Sequence, residues 1–338
     1  MYTIYDYIKY YGNYNIEKIK WNIQDNLICS ILAYLPFESI TKEYNIKDFY
    51  NYIKNNALLA LNHKSSKQAY KLLEELIKYD RFSKLKIISC KYILDNNTQF
   101  CALTYKINNL TIVSFRGSDD SIISWIENIK LIYEYPTITQ KYAIEYLNKV
   151  KGNKIYVNGH SKGGNLALVS SMECNKKVLN KIISIDNFDG PGLLKEEYNS
   201  KNYQKIISKL HNILPNNSFV GSLLYNDNYT YIKTNNIGIN IHYPYNWNMY
   251  GEVFIPEKCS NFTLKLHETT TNSLDKLSKK ELQNTIETII NYLIKNPRKN
   301  KFNLKELYKI VLNIKDIDNE TKEYFLQFIN IISKEIFK

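Results

Sequence analysis

The stretch IYVNGHSKGGNLALVSSM, residues 155–172, constrains this chain more than any other. A β-rich run enters a glycine-framed serine and leaves as a run of small and apolar residues at helical spacing. A strand passing straight into a helix through so tight a turn belongs to a parallel α/β sheet. In Gly159-His160-Ser161-Lys162-Gly163 the pattern is G-x-S-x-G. A serine on such a turn adopts a strained backbone, so the positions two either side must be small. Gly159 and Gly163 meet that demand, with Gly164 behind them, and Ala167, Ser170 and Ser171 would let the helix lie close on the sheet. The context makes Ser161 a candidate nucleophile. The competing reading is a glycine-rich turn that holds a phosphate or nothing at all.

The rest of the pattern agrees with such a sheet. Residues 3–35 read as two short helices with Trp21 between them, and 46–80 as helical. The period then changes to that of strands in 83–94, 98–107 and 110–117, separated by Asp95-Asn96-Asn97 and Asn108-Asn109, which is hairpin chemistry. A helix capped by Asp119, Asp120 or Ser121 follows, then a second over 138–151, the strand before Ser161, a helix from 162 to 174, the strand KIISIDNFDG and one further helix–strand step. YTYIKTNNIGINIHYPY reads as a late hairpin and the chain beyond 262 as amphipathic helices. The expectation is an α/β fold with a mostly parallel central sheet flanked by helices. Residues 1–82 form an N-terminal helical segment packed on the core, 83–262 the α/β core, and 263–338 a C-terminal helical extension.

Length and composition fit one large domain with an appendage: 338 residues, 44% hydrophobic and 23% charged. No apolar run reaches the roughly 18–20 residues of a membrane span, and the first residues carry no basic leader, so a cytoplasmic location is the default expectation. Cys29, Cys90, Cys101, Cys174 and Cys259 are scattered and lack metal-site spacing, so neither a zinc site nor any other cofactor is expected. The net charge of +12 is spread over the whole chain rather than gathered in a stripe. It allows peripheral attraction to anionic membrane surfaces but accompanies no nucleic-acid motif.

If Ser161 is a nucleophile it needs a base, an acid and two oxyanion donors. The Lys162 backbone N–H, at the start of the helix, is one donor. The Lys162 side chain is placed at the surface or behind the site, since a residue next to an elbow serine points away from it. Ser118, after Arg116-Gly117 at the end of an earlier strand, is the candidate second donor. Among the histidines, His160 flanks the serine and is not placed to take its proton. His63 and His211 lie before the serine and at a strand start, and His267 lies in the helical tail. His242, at the end of the expected late strand and before Pro244, is the candidate base. Asp189, in IDNFDGPG beyond the next strand, is the favoured acid. Asp186 lies on that strand and should be buried or face a helix, while Asp227 sits in a turn that suits a solvated carboxylate. Asp227, or a neutral third member, remains the alternative.

Three segments together resemble class 3 (fungal-type) lipases: VSFRGSDDSIISWIENI is similar to their oxyanion segment, VNGHSKGGNLAL to their GHSLGG elbow, and HYPYNW to their late histidine segment. More closely, the chain resembles an uncharacterised bacterial family of lipase-like α/β-hydrolases with a GHSKGGNLA elbow and an FDGPG segment. That resemblance extends to YDYIKYYGN, SFVGSLL and LDKLSKKEL and covers roughly residues 1–295. It implies an α/β-hydrolase fold and a triad of Ser161, His242 and an acid, but no particular substrate; the expectation drawn from the residues together is a serine hydrolase acting on an ester or lipid-type acyl substrate. The chain departs from class 3 lipases after the later strand, where Ser218 stands at the acid's usual position and Asp189 is thereby put forward. A catalytically inactive binding or scaffold protein, or an amidase or peptidase on the same triad, are the alternative functions.

Overall fold

The computed structural model describes residues 2–37, 42–57, 60–95, 98–119 and 122–276, with individual positions beyond as far as 326. The expected caps Asp120 and Ser121, the turn residues Asn96 and Asn97, and nearly all of the expected helical extension after Lys276 lie outside the described residues.

In chain order the elements are α1 (Ile4–Tyr11), α2 (Ile23–Leu32), β1 (Tyr44–Asn45), α3 (Ile46–Asn56), α4 (Lys64–Leu76), β2 (Lys86–Leu94), β3 (Gln99–Ile107), β4 (Leu110–Phe115), α5 (Ile122–Lys130) and α6 (Ile138–Lys149). There follow β5 (Lys154–His160), α7 (Lys162–Glu173), α8 (Lys176–Leu179), β6 (Ile182–Phe188), α9 (Lys195–Tyr198), α10 (Lys201–Ile206), β7 (Leu210–Pro215), β8 (Tyr229–Ile232), β9 (Met249–Tyr250), β10 (Val253–Phe254) and α11 (Asn261–Lys276). Strands β1 to β8 form one sheet in sequential order. The first four pair antiparallel, and β4 through β8 are parallel. The N-terminal segment adds its own edge strand, β1, to this sheet.

The sequential order explains why the N-terminal helices are needed. When parallel strands are added in one direction through connections of one hand, every connecting helix falls on the same face. Here α6, α7 and α10 pack on that face against Ala102, Val113, Phe115, Val157 and Ile185. The other face would be bare, and α1 to α4 cover it, packing on Leu103, Tyr105, Ile107, Ile112 and Phe188. The alternation along β3, with Phe100 and Ala102 to one core and Leu103 and Tyr105 to the other across an intervening buried Cys101, is the period of two that a sheet imposes. A mostly parallel sheet covered by helices on both faces, with a sharp strand-to-helix turn between β5 and α7, is the α/β-hydrolase arrangement.

Two buried charged groups lock the N-terminal helices in place. Asp25 of α2 receives two hydrogen bonds from Arg81, at 2.9 and 2.5 Å, and Arg81 also donates to the carbonyls of Tyr14, Ile19 and Lys20. Asp186 on β6 accepts from Asn26 of α2 at 2.6 Å, so it is buried and faces a helix, as its strand position suggests. Its other oxygen accepts from Ser184 at 2.7 Å and meets His211 Nδ1 at 2.8 Å.

The Asp186 carboxylate raises the pKa of His211. A group whose folded pKa is raised stabilises the fold fully below its unfolded value, and that contribution is lost as pH rises through the folded value. Wild type should therefore exceed His211→Gln in thermal midpoint most clearly below pH about 6.5, with the gap shrinking at higher pH. A gap that does not change between pH 5 and 9 would contradict this reading. His160, buried at the end of β5, has its pKa pulled well down by burial, so its own contribution runs the opposite way, present at high pH and lost on acidification.

The expected late hairpin is not formed. Tyr229–Ile232 is a parallel strand beside β7, and Gly238–His242 is a short 3-10 helix followed by a second over Pro244–Asn246. His242 thus ends a helical turn rather than a strand. Glycine at φ 59° opens that turn, and Pro244 begins the next with a ring that suits a first helical position, which is why the segment coils despite its β-branched residues. No helix among the described residues is long and apolar enough to cross a membrane.

Candidate active site

Ser161 lies between β5 and α7 with φ 60° and ψ −132°, a region that L-residues avoid. Its amide donates to the Phe188 carbonyl at 2.9 Å and its carbonyl accepts from Gly164 at 2.8 Å, so the turn is pinned from both sides. The flanking glycines are required by close approach: a Cβ on Gly159 would meet the Gly163 backbone, and one on Gly163 would meet the Phe115 carbonyl. A Cβ on Gly117 would meet the Tyr34 hydroxyl, and would stand 2.5 Å from the His160 carbonyl and 3.0 Å from Ser161 Cβ. The loop after β4 therefore runs directly beside the serine.

Asp189 follows β6, also at positive φ (50°), in the FDGPG turn. The turn is held by Asn165 of α7, which donates to the Gly192 carbonyl at 2.7 Å, and by Asn187, which accepts from the Gly190 amide at 3.0 Å. The Asp189 carboxylate is 1% exposed. One oxygen accepts from Ser218 Oγ at 2.6 Å and pairs with His242 Nδ1 at 2.6 Å. The other accepts from the Gly221 amide at 3.0 Å. Burial pushes the carboxyl pKa upward, and the histidine and the two other donors oppose that push by favouring the charged form.

His242 is oriented from two sides. Its ring lies 4.5 Å from that of His160, and its backbone carbonyl meets His160 Nε2 at 2.8 Å. His160 Nδ1 in turn meets the Tyr34 hydroxyl at 2.9 Å. Because burial keeps His160 neutral, the arrangement closes with Tyr34 donating to Nδ1 and Nε2–H donating to the His242 carbonyl. With Nδ1 on Asp189, His242 Nε2 has no hydrogen-bond partner among the described residues. Ser161 Oγ is likewise unbonded among them.

The amides of Ser118 and Lys162 also lack partners among the described residues, although their side chains are engaged. Ser118 Oγ donates to Asn128 at 2.9 Å. Of the two positions expected for the Lys162 side chain, the structure has the one behind the site: it is 1% exposed, paired with Glu127 of α5 and donating to the Gln99 carbonyl at 3.0 Å. It can be buried because a carboxylate of opposite charge and a backbone carbonyl meet it there.

The structure thus brings Asp189 to His242 and places His242 against the residue preceding Ser161. Asp227 lies elsewhere. It is half-buried and accepts from Tyr198 and Tyr203 at 3.0 and 2.7 Å. Of the remaining histidines, His63 stands 3.6 Å from Asp119 and His267 meets the Ser222 carbonyl at 3.2 Å. Four contributors escape sequence reasoning: Tyr34, Glu127, Ser218 as a donor to Asp189, and the Gly221 amide. Only Ser218 carried a signal, since it stands after the strand where an acid was sought. A cleft beside His242 is flanked by Phe219, Val220, Ile239 and Ile241.

No curated protein matches the chain in sequence. Among solved structures, the native Rhizomucor miehei lipase propeptide complex is similar at 19% identity over 44% of this chain, with a TM-score of 0.33, and the chain spans only 57% of that one. A fungal lipase–inhibitor complex is similar at 14% identity over 56% of this chain and 69% of its own, TM-score 0.34. The M37 lipase is similar at 16% identity over 74% of this chain and 79% of its own, TM-score 0.38. The family model described as Mbeg1-like matches residues 76–291, well over half of the sequence, and the chain belongs to the Mbeg1-like family.

Proposed function

We propose that this protein is a serine hydrolase that cleaves carboxylic esters with apolar acyl or alkyl groups. The observation that carries the reading is His242, held by Asp189 through Nδ1 with Nε2 left unbonded among the described residues, packed on His160, which precedes a serine in a strained turn. Ser161 Oγ attacks the acyl carbonyl carbon while His242 Nε2 takes its proton. The carbonyl π electrons move to oxygen, which the amides of Ser118 and Lys162 receive. Collapse of the tetrahedral intermediate expels the alkoxide, which His242 protonates. Water, deprotonated by His242, then attacks the acyl-serine, and the carboxylic acid leaves as Ser161 regains its proton. Asp189 fixes the histidine tautomer and stabilises the imidazolium formed in each half-reaction. The apolar flank at Phe219, Val220, Ile239 and Ile241 supports an uncharged, greasy substrate.

The test is a panel of acyl esters of increasing chain length against matched amides and peptides. Turnover of esters, and its loss in Ser161→Ala, supports the reading. Turnover of amides with no ester activity would replace it with an amidase, and no turnover of either class would favour a binding protein built on this fold.

A further inference from the structure

Lys162 opens α7, and its ammonium reaches away from Ser161 into the protein. It is bonded to Glu127 of α5 and to the carbonyl of Gln99, the first residue of β3. Glu127 accepts from the Gln99 amide at 3.3 Å, so the peptide groups of Gln99 are bracketed by the pair. The Gln99 side chain then continues the network: its amide nitrogen donates to Asp119, and its oxygen accepts from Ser124 of α5 and, at 3.4 Å, from the Asp119 amide. Asp119 also receives Arg116 at 3.0 Å. Arg116 and Asp119 are the two ends of the short loop that carries Gly117 and Ser118.

These bonds join four segments around the amides of Ser118 and Lys162: the start of β3, the loop after β4, helix α5 and the elbow. Burying an ion pair is a poor way to gain stability, because the desolvation of both charges offsets their attraction, and an apolar pair of similar size would fill the space without that cost. What a charged pair with fixed hydrogen bonds supplies instead is geometry: both partners must keep one arrangement or leave a buried charge unpaired.

We propose that the buried Lys162–Glu127 pair is a positioning device for the oxyanion hole, holding the elbow and the loop after β4 in register so that the Ser118 and Lys162 amides converge on one oxygen. This rests on the serine-hydrolase reading. The pair touches no reacting atom and acts through the two amides, so its loss should be felt when the oxyanion forms rather than when substrate binds.

The experiment measures kcat, KM and thermal midpoint on the full-length protein, with a p-nitrophenyl ester as probe. The variants are Lys162→Met, Glu127→Gln, Glu127→Asp and the double variant Lys162→Met/Glu127→Leu. The single variants Lys162→Met and Glu127→Gln should lower kcat about 10- to 1,000-fold with KM changed by no more than about threefold. Both should also lose thermal midpoint. The double variant, which leaves no lone buried charge, should regain thermal midpoint but stay slow. Glu127→Asp keeps the charge and shortens its reach by one methylene, so it should fold and still lose kcat. If the double variant regains kcat together with its midpoint, or Glu127→Asp turns over like wild type, the pair is structural only and the proposal falls. Wild-type protein that hydrolyses no ester overturns the hydrolase reading, and this proposal with it. An active wild type with unaffected variants overturns this proposal alone.

Discussion

Ser161→Ala is expected to lower ester turnover by at least about 10,000-fold, to the residual level that binding and the oxyanion amides sustain without a nucleophile. The size of the effect follows from what the residue does. No covalent acyl intermediate can form, and water must attack directly with His242 as its only assistant. The fold should survive the change. Ser161 Oγ makes no hydrogen bond among the described residues, and the turn is held by backbone bonds to Phe188 and Gly164 that alanine retains. Alanine at φ 60° is no more strained than the serine it replaces. Thermal midpoint should therefore change little while turnover collapses. A parallel loss of both would mean that the substitution acts through folding.

Asp189→Asn is the second large effect, on the order of 10,000-fold in kcat. An asparagine amide can turn its nitrogen toward His242 Nδ1. The imidazole then holds its proton on Nε2, where it cannot accept one from Ser161. The isosteric amide keeps its oxygen on the Gly221 amide, and the Ser218 hydroxyl, which donates to the carboxylate, can turn to accept from the new NH2, so stability should fall less than activity. Asp227→Asn is the control. Its carboxylate is held by Tyr198 and Tyr203, away from His242, and the change should leave turnover within a few-fold of wild type. If Asp227→Asn abolishes turnover and Asp189→Asn does not, the acid is misassigned.

The parts of this molecule that were legible in its sequence are those specified locally. The elbow is one: a side chain on Gly159 would meet the Gly163 backbone four residues on. The helical spacing of α4 is another, since burial on one face leaves a period in the sequence. The segment before His242 misled because Ile237, Ile239 and Ile241 alternate as a strand would. Gly238, at positive φ, and the proline after the turn outweigh that alternation, and two of the three isoleucines face solvent. Sequence leaves the Lys162 side chain open between the surface and a position behind the site. Its partner Glu127 lies 35 residues upstream on another helix, and nothing near Lys162 in sequence announces a buried carboxylate. Ser218 is an intermediate case. Its place after β7 is where an acid is expected, but its part as a donor to an acid on the neighbouring strand needs the sheet order to be seen.

The most direct test of the account treats folded wild-type protein with a fluorophosphonate and locates the adduct by mass spectrometry. The reagent reacts with a serine that has a working base and oxyanion site, and leaves ordinary serines unmodified. The account predicts a single phosphonyl group on Ser161, absent from Ser161→Ala and strongly slowed in Asp189→Asn. Folded wild-type protein that carries no adduct on Ser161 would contradict it.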